Sequence, residues 1–132
     1  MVKLYVTPST LVDNKFNIFE RNFGSRNLLI SDLQKSKIFL VPGHKGEIFC
    51  LAAEEARELC VPIVTLGIGS LSERVNHGTT GFIAKNEIEF ANFTLDLFSD
   101  DNLWQKIRNN LLKIRGSKTW NKVALDLIKK IK

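Results

Sequence analysis

Apolar side chains follow two rhythms along this chain, and the switches between them define its elements. Two short runs without alternation, Ile38-Phe39-Leu40-Val41 closed by Pro42-Gly43 and Ile63-Val64-Thr65-Leu66 opened by Pro62, read as strands buried on both faces. Between them Phe49, Ala52, Ala53, Ala56, Leu59 and Cys60 recur at helical spacing, while Glu54, Glu55, Arg57 and Glu58 fall mostly on the opposite side. That pattern predicts an amphipathic helix from Phe49 to Cys60. Strand, loop, helix and strand on short connections form a βαβ unit, which requires a parallel sheet and a right-handed crossover.

The flanking segments extend the unit. Val2 to Thr7 reads as a strand stopped by Pro8, Ser9 to Asn27 carries no assignable pattern, and Ser31 to Lys37 predicts a short helix with Ser31 as its N-cap. Gly67 and Gly69 make a turn, and Leu71 to Asn76 is a helical turn capped by Ser70 or Ser72. Phe82-Ile83-Ala84 is a third strand. Three helical stripes follow: Phe90, Phe93, Thr94, Leu97 and Phe98; Leu103, Trp104, Ile107 and Leu111; and Trp120, Val123, Ala124, Leu127, Ile128 and Ile131. Asp100-Asp101 and Gly116-Ser117 separate them. The expected fold is therefore α/β: a Rossmann-like parallel sheet flanked by helices, with a helical C-terminus.

Composition narrows the class without changing this picture. With 132 residues, 44% hydrophobic and 25% charged, the chain suits one globular domain, and its apolar runs are far too short to span a bilayer. Cys50 and Cys60 cannot form a disulfide framework, and no basic-then-apolar leader opens the chain, so a reduced cytoplasm is the expected compartment. Charge does add something. From Asn102 onward nine Lys and Arg side chains face the single acid Asp126, whereas the preceding residues lean acidic. Such an end suits an anionic surface or is simply a solvated helical face. Nucleic acid is not expected, because no aromatic side chains interleave with the basic ones.

Candidate chemistry gathers where parallel strands end. In an open α/β sheet ligands bind beyond the carboxyl ends of the strands, which selects Gly43-His44-Lys45-Gly46-Glu47 and Gly67-Ile68-Gly69-Ser70. The first loop runs into a helix N-terminus, where amides near Ile48, Phe49, Cys50 and Leu51 and the helix dipole favour a phosphate, and where Gly43 and Gly46 allow close backbone approach. Neither loop carries a Rossmann or P-loop fingerprint. Glu47 and Glu55, eight residues apart, would stand roughly 12 Å apart along the helix. Carboxylates on either side of an anion suit a diphosphate with hydroxyl-bearing groups at both ends, as in a nucleotide sugar. Equally, Glu47 reads as an acid favoured by the helix dipole and Glu55 as a solvated face residue.

The order of these residues resembles the donor-binding, C-terminal half of GT-B glycosyltransferases of the large GT4, or group 1, family. The resemblance rests on Pro42, Glu47-Ile48-Phe49-Cys50, Glu55-Ala56, Pro62-Ile63-Val64, Gly69-Ser70-Leu71-Ser72-Glu73 and His77-Gly78-Thr79-Thr80-Gly81-Phe82. It covers the chain from about Leu29 onward. It implies retaining transfer of a hexose from a UDP- or GDP-sugar, with the nucleotide sugar as substrate and no metal or other cofactor. Glu47 then stands for the acid near the donor sugar, the catalytic candidate, and Glu55 for the acid that binds the ribose hydroxyls. Gly46, Phe49, Cys50 and Leu51 correspond to donor contacts, as do Gly69 and Ser70. A nucleotide-sugar epimerase and a degenerate binding module stay open as alternatives.

Departures from the family pattern shape the expectation. Cys50 and Cys60 stand where the family has glycines, so Cys50 is expected to put a side chain where the backbone approaches the donor. Ser70 replaces the second glycine of its pair, and His77 an aspartate. The basic pair that neutralises the leaving diphosphate has no match in Lys15, Arg21 or Arg26, and the acceptor domain is missing. Residues 1–132 are therefore expected to form one N-terminally truncated donor domain, inactive alone. A separate acceptor domain and an anionic membrane are the expected partners.

Overall fold

The computed structural model describes residues 4–6, 18–20 and 24–131. Its centre is a three-stranded parallel sheet in the order β3 (Phe39–Leu40), β4 (Ile63–Thr65), β5 (Gly81–Ile83), with Leu40 opposite Val64 and Val64 opposite Phe82. A separate parallel pair joins β1 (Leu4–Val6) to β2 (Ile18–Glu20). The expected first strand is thus found within Val2 to Thr7, while Pro8, Lys15 and Arg21 lie outside the described residues.

Central β4 explains why its sequence does not alternate: all three residues are buried, and successive side chains enter different cores. Ile63 packs with Ala53 and Ala56 of α2 (Leu51–Glu58) and with Leu71 of α3 (Leu71–Arg74). Val64 packs on the other face with Phe82, with Leu97 of α4 (Glu87–Ser99), and with Ile107 and Leu111 of α5 (Asp101–Ile114). Two alanines at full burial bring α2 close to the sheet. The result is the three-layer α/β arrangement expected, with two half-cores separated by the sheet.

Several boundaries differ from the sequence reading, three of them in elements with a clear local cause or shift. The first helix, α1 (Arg26–Lys35), begins well before Ser31, because Ser25 rather than Ser31 caps it, its Oγ accepting from the Leu28 N–H. Helix α2 is shorter at both ends than Phe49 to Cys60. Cys50 and Cys60 adopt left-handed conformations, φ 55° and 58°, and so bound it. At its C-terminal end the Val61 N–H donates to Ala56 O and the Cys60 N–H to Arg57 O, the paired bonds of a Schellman stop. The third strand begins at Gly81 rather than Phe82.

The apolar stripes also fare differently. Those of α4 and α5 supply buried Leu97, Ile107 and Leu111, and Trp104 is anchored by its Nε1–H to Lys37 O at 2.7 Å. The stripe of α6 (Trp120–Ile131) is exposed throughout, with no residue of the helix buried.

Candidate functional site

The two loops beyond β3 and β4 interlock. Ser70 N–H donates to Glu47 O at 3.0 Å, tying the second loop to the first. Gly69, at φ +67°, lies so close to the first loop that a Cβ there would meet His44 O at 2.6 Å and Glu47 O at 2.7 Å. Gly43, at φ +103°, leaves the same lack of room, since its Cβ would meet Ile68 O at 2.9 Å. Both glycines are thus fixed by close backbone approach between the loops. The Thr65 hydroxyl reinforces the junction, accepting from the Gly67 N–H and reaching Pro42 O.

Glu47 sits at this junction, before α2. Its Oε1 accepts from the Cys50 N–H at 2.8 Å, so this carboxylate itself occupies the positive end of α2. The backbone position at Cys50 is therefore engaged within the chain. Gly46 is exposed, and its N–H donates to His44 Nδ1 at 3.0 Å. Ser70 occupies the N-cap position of α3 but makes no side-chain cap bond, and its buried Oγ has no partner.

Cys50 corrects the sequence expectation. Its left-handed backbone turns the side chain into the core among Ala53, Ile63 and Leu71, with 7% of the residue exposed, rather than towards a ligand above the helix. Burial pushes the Cys50 thiol above its ordinary pKa, helped by the nearby Glu47 carboxylate and opposed by the Ala53 backbone contact and Arg74. Such a thiol is a packing group, not an activated nucleophile.

Phe49 lies outside the helix, half exposed, and is clamped by Arg74 of α3. The guanidinium stands 4.2 Å from the ring centroid, its Nε donates to Phe49 O, and Nη1 reaches Glu54 at 3.3 Å. Arg74 was invisible to motif reading, since only the fold brings α3 against the start of α2. Glu54 in turn pairs with Arg57, which is buried despite its place on the expected solvent side of α2, and Arg57 also pairs with Glu58 at 2.7 Å.

Leu51 and Glu55 face elsewhere. They line a groove of about 320 Å³ between α1 and α2 together with Arg26, Ile30, Glu54, Glu58 and Leu59. Glu55 Oε1 lies 3.3 Å from the Arg26 guanidinium, an exposed partner that a diol would have to displace. The expected site residues therefore divide: Gly46, Glu47, Gly69 and Ser70 at the loop junction, Leu51 and Glu55 in the groove, and Phe49 beneath Arg74. Among the described residues there is no cluster of metal-ligating side chains and no helix long and apolar enough to cross a membrane.

The fold and this edge define an α/β domain whose candidate site lies beyond the carboxyl ends of parallel strands. Residues 12–114, most of the chain, match the family model described as glycosyl transferases group 1, and the chain belongs to that family. Membership gives it a role in glycosyl transfer and implies a nucleotide-sugar donor. The match takes in β2 to β5 and α1 to α5 and stops short of α6. No curated protein matches significantly.

Proposed function

We propose that the chain is the donor-binding part of a retaining hexosyltransferase of the GT4 type, the C-terminal half of a GT-B enzyme using a UDP- or GDP-sugar. The observation that carries this reading is the locked loop pair beyond β3 and β4, which holds Glu47 on the N-terminus of α2 with Glu55 eight residues further on. A diphosphate entering there would take over the Cys50 amide that Glu47 now caps, and the freed carboxylate would face the donor sugar. Glu55 would exchange Arg26 for ribose hydroxyls. No metal is required in this scheme, because the helix dipole meets the diphosphate. Transfer needs an acceptor domain and leaving-group cations from outside residues 1–132, so the chain by itself is inactive. Its setting is the cytoplasmic side of an anionic membrane, which its basic C-terminal region suits.

Calorimetric titration with UDP and GDP tests the reading. Saturable binding that weakens at least tenfold in Glu55→Ala is expected. A second reading, a binding module that has lost the donor, is favoured by the Glu47–Cys50 and Glu55–Arg26 contacts that fill the site from within. Absence of binding at millimolar nucleotide, in both wild type and Arg26→Ala, would decide for that second reading.

A further inference from the structure

The peptide that presents its N–H at the start of α2 is held from behind by a side chain of another helix. Helix α2 begins without an ordinary cap: Cys50, at the N-cap position, is left-handed and makes no side-chain cap bond. Other residues hold this point instead. Glu47 Oε1 accepts from the Cys50 N–H at 2.8 Å, and Arg74 Nε donates to Phe49 O at 3.0 Å. That N–H and that carbonyl are opposite ends of one planar peptide, so fixing one end fixes where the other points. Arg74 grips the same residue twice, since its guanidinium also stands 4.2 Å from the centre of the Phe49 ring. Its Nη1 reaches Glu54, on α2 itself, at 3.3 Å. Ile48, on the other side of Phe49, is 89% exposed and offers no such hold.

We propose that Arg74 is a positioning residue that aims the Cys50 N–H at the donor diphosphate. The inference deepens the donor-site reading given above and rests on it. Once a diphosphate displaces the Glu47 carboxylate, Arg74 is, among the described residues, the side chain still bonded to the Phe49–Cys50 peptide. A cation on the carbonyl also polarises that peptide, which strengthens its N–H as a donor to an anion. The planar fork of arginine serves carbonyl, ring and carboxylate together, whereas the single point charge of a lysine does not span all three. With its side chain 14% exposed, Arg74 stays packed under the loop and acts through the peptide rather than on the ligand.

The test sets UDP and GDP against uridine and guanosine on the full chain, with calorimetry for the nucleotides and ligand-detected NMR for the nucleosides. Arg74→Lys, which keeps a cation beside Glu54, should bind the nucleotide about tenfold more weakly. Its nucleoside affinity should be unchanged, because the nucleoside meets Glu55 in the α1–α2 groove. Arg74→Met, with no charge, should lose at least as much. The Cys50 amide resonance supplies a direct signature: saturating nucleotide should move it in wild type and leave it in place in Arg74→Lys. If nucleotide and nucleoside affinities fall together, Arg74 merely supports the fold and the proposal is overturned. If both Arg74 variants bind the nucleotide as wild type does, or the Cys50 amide responds in them as in wild type, the Arg74 assignment falls while the donor-site reading stands. If wild type binds neither nucleotide, both fall.

Discussion

Among the described residues, two with side chains occupy backbone conformations that normally favour glycine. Cys50 and Cys60 hold φ 55° and 58°, yet both are buried, so each sets backbone strain against a packed thiol. At ordinary positions Ala is more stable than Gly; here the order should invert. Cys60→Gly should be more stable than Cys60→Ala by about 0.5–1 kcal/mol, because both lose the thiol's contacts but only glycine relieves the left-handed strain. Urea unfolding of the two variants checks it. The Cys50 thiol makes a pH prediction as well. Its folded pKa is raised, chiefly by burial, so the unfolded chain loses this proton first as pH rises. Stability is untouched by this group below the ordinary thiol range and falls as pH climbs from there through the folded value. Melts between neutral and alkaline pH should show a decline that is shallower in Cys50→Ala. The sequence exposed these positions only through family resemblance; local chemistry does not mark a cysteine for a left-handed turn.

Helix α2 joins the loops to the body through charge. Glu54 receives Arg57, Arg74 and Lys118, and two of these cations are largely buried, with side-chain exposures of 8% and 14%. Glu54→Ala removes a carboxylate from each, although Arg57 keeps Glu58 and Arg74 keeps Phe49 O, and should cost about 2–3 kcal/mol. By contrast, Arg26 is 77% exposed in its pair with Glu55, and Arg26→Ala should cost less than about 1 kcal/mol. Chemical denaturation of the two variants separates these magnitudes. Helical periodicity correctly gave α2 its apolar face of Ala53 and Ala56, but it also sent Arg57 to solvent. The partners of Arg57, Glu54 and Glu58, lie on the same helix; what is tertiary, and what no period reports, is the approach of Arg74, Gly116 and Lys118 to those same carboxylates. Helix α1 illustrates a different limit. Ser25 and Ser31 are equally good caps by type, and the choice between them came from the turn that Leu28 completes on Ser25.

At the scale of the whole molecule, the sequence revealed the parallel sheet, the order of its connections and the two loops beyond it. It did not reveal that the site candidates divide between a loop junction and the α1–α2 groove, because spacing along a helix says nothing of what packs beside it. Nor did it distinguish the α5 stripe, which closes the core, from the α6 stripe, which does not. Deleting residues after Thr119 should therefore leave the thermal midpoint within about 2 °C, since α6 contributes no buried side chain. Calorimetry of the shortened chain checks this.

The two left-handed cysteines have one more consequence. Cys50 belongs to the half-core under α2 and α3, and Cys60 to the half-core under α4 and α5, on the opposite face of the sheet. With the eight residues of α2 between them, about 12 Å of helix, the thiols are too far apart to bridge without unwinding it. They are in effect two native clocks. Under slow thiol labelling, the rate at each cysteine times the opening of its own side of the sheet, so peptide mapping would show whether the domain comes apart as one body or one face at a time.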